Sequence, residues 1–378
     1  MGKVSGTCDP RFAALREAFA NRLHADELGG SLAVDLDGTV VVDLWGGFRD
    51  GARTQPWTRD TIVNVWSTTK TVTALAALTL VDRGRLDAYA PVARYWPEFA
   101  ANGKDRIEVR HLLSHTSGVS GWNKPVRIED LFDLPASTAR LATQAPWWEP
   151  GTASGYHANS YGHLIGEVVR RVSGKSLKQY IAEELAGPTG ADFQLGAKES
   201  DWGRVAPVVP PPPLPFKMDW SNQQTPGFRT NTGPTPVAAK ANTPGWKLAE
   251  MGSSNGHSNA MGVLRMMRAV SLGGTADGVR LLSPDTIDLV FETQADGVDL
   301  VLGLPLRFGI GFGLPKPETV TFVPEGRVCF WGGWGGSILI MDLDRRLTIS
   351  YVMNRMGAGI VGSDRTREYV GAVYSALG

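Results

Sequence analysis

The sequence predicts an α+β fold in which one antiparallel sheet, contributed by both ends of the chain, carries helices on its faces and an inserted all-helical region. Three observations predict it. β-rich runs occupy the first 50 residues, similar runs return near residue 340, and most of the sequence between them has helical periodicity. The 378 residues allow two domains. The expected division is a sheet domain from 1–85 and 192–378 with a helical domain from 86–191.

Taken in order, residues 11–24 place apolar side chains at helical spacing and run up to Gly29-Gly30, where a helix stops. The runs 31–36 and 39–44 are joined by Asp37-Gly38, a strong hairpin signal, and are expected to be antiparallel strands. The runs 337–342 and 346–352 repeat the pattern around a polar turn, and a terminal helix is expected over 364–376. Residues 201–246 differ in texture. They hold Pro207, Pro210 to Pro213, Pro215, Pro226, Pro234, Pro236 and Pro244, a density that excludes long helices and central strands. The aromatic residues Trp202, Phe216, Trp220, Phe228 and Trp246 interleave with them, so the segment is expected to cover a site as a lid.

Composition removes several classes of function. Lys plus Arg and Asp plus Glu each total 38, so no net charge draws the chain to nucleic acid or an anionic membrane. At 42% hydrophobic and 20% charged residues the chain is an ordinary folding sequence. Cys8 and Cys329 stand far apart and outside any Cys/His cluster, which favours two free thiols. His111 and His115 have the i, i+4 spacing of zinc ligands but enclose Leu-Leu-Ser, so no metal and no cofactor is expected. With no apolar run near the ~18 residues of a membrane span and no apolar leader, a cytoplasmic location is expected.

Three stretches can carry chemistry. Ser67-Thr-Thr-Lys70 opens an apolar helix, which sets the lysine one turn above the serine on the same face; a desolvated, neutral amine there could take the serine proton. Alone, the tetrapeptide also fits a capping serine beside a solvated lysine. Tyr156 precedes a helix expected over 160–172 and suits either a cleft or the core. The run from Phe330 to Ser337 contains Trp331-Gly332-Gly333-Trp334 and leads into a strand. It suits a substrate lying along a strand edge, a bulge or a tight turn. A formal Gly-x-Ser-x-Gly at Gly252 to Gly256 competes as a nucleophile elbow, but no strand precedes it and no suitable histidine follows.

In this order, together with 82–92, 95–99, 111–118, Pro150-Gly151-Thr152, 255–260 and 351–354, the motifs resemble the serine β-lactamase and penicillin-binding-protein superfamily. The likeness is greatest to its carboxylesterase branch, the family VIII esterases, and spans nearly the whole chain. The resemblance implies a β-lactamase-like fold with the site in the cleft between its two domains. It makes Ser67 the nucleophile, Lys70 its activating partner and Tyr156 a phenolate-like proton shuttle. It assigns the oxyanion hole to the backbone N–H groups of Ser67 and Trp334. Substrate contacts are expected of Trp331, Gly332 and Gly333, and His157, beside Tyr156, is expected to line the pocket or to orient the site.

The departures from the pattern are informative. Trp331 stands where penicillin-recognising members carry a cation, position 158 is Ala rather than Asn, and Asn159 comes one place late. The expected activity is hydrolysis of short-chain neutral acyl esters, with a small-molecule ester as partner, through an acyl-serine intermediate. The alternatives are acyl transfer to alcohols or amines, a promiscuous β-lactamase or DD-peptidase-like activity, or a binding relative without catalysis.

Overall fold

The computed structural model describes residues 3–213, 221–359 and 361–378. Its main sheet is antiparallel and nine-stranded. Across it run Val4–Cys8, Thr39–Gly47, Gly29–Leu36, Leu347–Met353, Ile338–Asp342, Val328–Gly332, Gly313–Leu314, Pro305–Phe308 and Ala295–Val298. Both ends of the chain meet at its centre, where Leu36 faces Leu347 and Gly30 faces Met353. Asp37 and Gly38 both have positive φ, as a tight hairpin between twisted strands requires.

Every residue of Leu347–Met353 is buried, so both faces of the central strands are covered. Helix Ala260–Ser271 packs on the three central strands, and helix Ala13–Ala25 packs against the terminal helix Asp364–Ser375. Between Asp82 and Phe193 every named element is helical. The longest of these, Ser160–Ser173, packs on helix Thr69–Asp82. That helix is buried from Thr69 through Leu80, as expected of one that is apolar all round. It packs on helix Ser160–Ser173 and on strand Val328–Gly332, and the turn Trp66–Thr68 that leads into it packs on the same strand.

Several elements differ from expectation. Trp331 and Gly332 end a strand, Val328–Gly332, and the hairpin to Ile338–Asp342 begins after them. The strands Val4–Cys8, Ala295–Val298, Pro305–Phe308 and Gly313–Leu314 extend the sheet beyond the four read from the sequence. A second, four-stranded sheet joins Phe193–Leu195, Gly256–Ser258, Ile62–Asn64 and Val205–Ala206. The described residues of the proline-rich segment form only short elements, the helices Pro226–Asn231 and Pro244–Leu248 and a 3₁₀ turn Ala238–Asn242 among them. Phe216 and Trp220, read as part of its cover, lie outside the described residues.

Candidate active site

Ser67 lies in a 3₁₀ turn, Trp66–Thr68, and the α-helix proper begins at Thr69. The turn is pinned from three sides. Val65 N–H donates to Gly256 O (2.8 Å), Gly256 N–H donates to Thr69 Oγ1 (2.9 Å), and Ser337 Oγ donates to Val65 O (2.9 Å) while lying 3.0 Å from Thr68 Oγ1. Trp66 is held at φ 51°, a left-handed conformation costly for a bulky residue and typical of strained functional turns.

Lys70 Nζ is 3.1 Å from Ser67 Oγ, 2.8 Å from Ala158 O and 3.0 Å from Ser253 O. Burial, with only 2% of the residue exposed, holds its pKa well below the ordinary lysine value. A neutral amine has two N–H bonds and one lone pair. The two carbonyls take the N–H bonds, so the lone pair is left for the Ser67 hydroxyl proton.

Tyr156 is also buried, and its oxygen accepts from Trp331 Nε1–H at 3.1 Å. Burial pushes its pKa up, and its hydrogen bonds with Ser67 and Trp331 oppose this only in part. Burial favours a phenol there over the phenolate-like state expected of Tyr156, because an anion in that position is poorly solvated. Lys70 Nζ sits 4.8 Å from the centroid of the Tyr156 ring. Asp299, absent from the sequence reading, fixes the tyrosine loop. Its Oδ1 accepts from the backbone N–H groups of Tyr156 (3.0 Å), Val301 (2.9 Å) and Leu302 (2.9 Å).

A cavity of about 440 Å³ opens in front of Ser67. Ser67, Tyr156, Trp331, Gly332 and Trp334 line it, as do Trp66, Trp246, Pro211 to Pro213, Pro234 and Pro236. Among the described residues none that lines it carries a charged side chain. Two residues read as site residues do not line it. His157 is fully buried, with Nδ1 2.6 Å from Gly155 O and Nε2 2.7 Å from Ser117 Oγ, so of its two expected roles the geometry fits orienting the tyrosine loop rather than lining the cavity. Gly333 sits behind the wall, where a Cβ would run into Ser337 Oγ and Val65 O. Within the proline-rich segment, Trp246 reaches the cavity, whereas Trp202 packs with Ile62, Ala197 and Val205.

A model of the family described as Beta-lactamase matches residues 15–371. The chain belongs to the β-lactamase family. Among its relatives, the Esterase/beta-lactamase LipL of Mycobacterium tuberculosis is 35% identical over 96% of this chain and 85% of its own. Two solved structures match this β-lactamase-family chain over 99% of its length and 100% of theirs. One is of a family VIII carboxylesterase, at TM-score 0.93 and 38% identity. The other is of a penicillin-binding protein homologue from Caulobacter crescentus, at 0.91 and 37%. Both bear out the fold class, and the carboxylesterase structure, with LipL, bears out the carboxylesterase-branch resemblance read from the motifs.

Proposed function

We propose that the chain is a serine carboxylesterase that cleaves neutral acyl esters through an acyl group on Ser67. The observation that carries this reading is the Ser67–Lys70 pair: a hydroxyl 3.1 Å from a buried amine whose other directions are taken by carbonyls, at the wall of a cavity whose described lining carries no charged side chain. LipL and the family VIII structure, by their names and titles an esterase and a carboxylesterase, support it.

In this reading the site lies between a sheet domain (1–85 and 192–378) and a helical domain (86–191), with 201–246 as its cover. The free thiols of Cys8 and Cys329 fit a reducing compartment such as the cytoplasm. No helix of the described residues is long and apolar enough to cross a membrane.

The mechanism follows from the proton inventory. Ser67 Oγ attacks the ester carbonyl while its proton passes to Lys70 Nζ. The N–H groups of Ser67 and Trp334 meet the tetrahedral oxyanion; Ser67 is in the first turn of its helix, where N–H groups have no acceptor within the helix. As the intermediate collapses, the departing alkoxide takes the Tyr156 proton. Trp331 Nε1–H steadies the tyrosine oxygen until the proton on Lys70 returns to it. Water then repeats the sequence, giving a proton to Lys70 as it attacks the acyl group, and Ser67 leaves protonated. The sum is ester plus water to acid plus alcohol.

With no cation among the described residues of the wall, the carboxylate of a β-lactam would face indole and proline in place of a counter-charge, so nitrocefin should turn over far more slowly than a neutral ester. The cavity exceeds what a short acyl chain fills, which leaves room for the alcohol portion or for an alcohol acting as acyl acceptor. The test is p-nitrophenyl acetate and butyrate hydrolysis by wild type and Ser67→Ala. The variant should lose at least about 10³-fold in kcat, and equal rates would refute the proposal.

A further inference from the structure

Lys70 hangs from two carbonyls, and each belongs to a residue followed directly by a polar side chain at the cavity wall. After Ala158 comes Asn159, and after Ser253 comes Ser254; both line the same cavity as Ser67. The two segments are tied together, because Ser253 Oγ donates to Asn159 O at 2.6 Å and accepts from Gly162 N–H at 2.7 Å.

Neither wall residue spends its side chain on the fold. Ser254 Oγ is buried without a hydrogen-bond partner among the described residues, in a residue only 5% exposed. Asn159 occupies the N-cap position of helix Ser160–Ser173, where asparagine ordinarily satisfies a backbone N–H, yet its amide makes no capping bond. A buried polar group without a partner costs stability, so a folded protein that retains one usually has a use for it.

We infer that Ser254 and Asn159 form a polar subsite that binds a neutral hydrogen-bonding group of the ester, such as a ketone, amide or hydroxyl, carried beyond the scissile bond. The hydroxyl and the amide can both donate and accept, and neither carries charge. The indoles of Trp66 and Trp246, with ring centroids 5.6 Å apart, line the same cavity with apolar surface, so an unpaired substrate group or an unpaired wall group beside them is penalised. Ser254 is the central serine of the Gly-x-Ser-x-Gly stretch, so that stretch supplies substrate recognition rather than a nucleophile. The inference deepens the esterase reading and rests on it for the position of the reacting bond.

The test uses two pairs of near-isosteric esters: p-nitrophenyl pentanoate with p-nitrophenyl 4-oxopentanoate, and pentyl acetate with 4-oxopentyl acetate. Each kcat/KM ratio is corrected for the hydroxide-catalysed rates. Wild type should favour the oxo ester of at least one pair by about fivefold to tenfold, and Ser254→Ala and Asn159→Ala should each bring that ratio towards one. Binding of the same esters to Ser67→Ala protein, followed by tryptophan fluorescence, should show the same preference without turnover. Ratios near one for both pairs in wild type, or ratios that neither substitution moves, would overturn the subsite. If wild type hydrolyses none of the four while Ser67→Ala protein still prefers the oxo esters, the esterase reading fails and the subsite stands.

Discussion

Lys70 is a base only while neutral, and burial alone lowers its pKa; no neighbouring anion holds its proton. The amine is active above that lowered pKa and lost as pH falls through it. The acid limb of kcat/KM should therefore lie well below the ordinary lysine value, and Lys70→Arg, with a guanidinium that stays protonated, should remove activity by about 10³-fold or more. Trp331 bears on the same step through its N–H. Trp331→Phe keeps an aromatic wall but leaves the Tyr156 oxygen without that donor as negative charge develops. The expected result is a kcat lower by about tenfold with KM little changed, measured by steady-state kinetics.

Ser67, Lys70 and Tyr156 were legible because their types and order make a pattern. Asn159 and Ser254 were not, because what marks them is a missing partner, and a sequence records no absence of contact. For His157 the sequence leaves two roles open, lining the pocket or orienting the site, for a related reason. Adjacent residues in a turn can face opposite ways, and here Tyr156 lines the cavity while both nitrogens of His157 are bonded behind it.

At the level of elements, the approach of helix Ser160–Ser173 to the 251–255 turn governs the site's geometry. Gly162 makes that approach possible: a Cβ there would fall 2.3 Å from Gly252 C and Ser253 N. Gly162→Ala must push away the turn whose Ser253 carbonyl orients Lys70. It should cost about 1–3 kcal/mol of stability and reduce esterase activity together, read by thermal denaturation and kinetics on one preparation. The hairpin at Asp37-Gly38 could be read from sequence because its determinant is two adjacent residues. The strands Pro305–Phe308 and Gly313–Leu314 are too short to show a periodicity of their own, and they exist through pairing with neighbours distant in sequence.

For the whole molecule, stability should follow buried imidazoles as the medium is acidified. Desolvation holds His157 down to about 3 and His257 down to about 4, against an ordinary value near 6.5. Groups kept neutral by folding contribute stability that is full above the unfolded value and lost as pH falls towards the folded one. His257 alone would account for about 3 kcal/mol by pH 4. Glu27, buried against Arg365 and raised to about 7, acts in the opposite sense: its contribution is full below its unfolded value of 4.5 and is lost as pH rises through 7. Denaturation midpoints should fall between pH 6.5 and 4, and His257→Asn, which can retain the donor to Asn255 O, should flatten that decline.

The central claim is that the acyl group passes through Ser67. Reaction with p-nitrophenyl butyrate, an acid quench and peptide mass spectrometry test it directly. One butyryl group on Ser67 is the expected result, whereas a label on another residue, Ser254 included, or undiminished turnover by Ser67→Ala without a label, would contradict it.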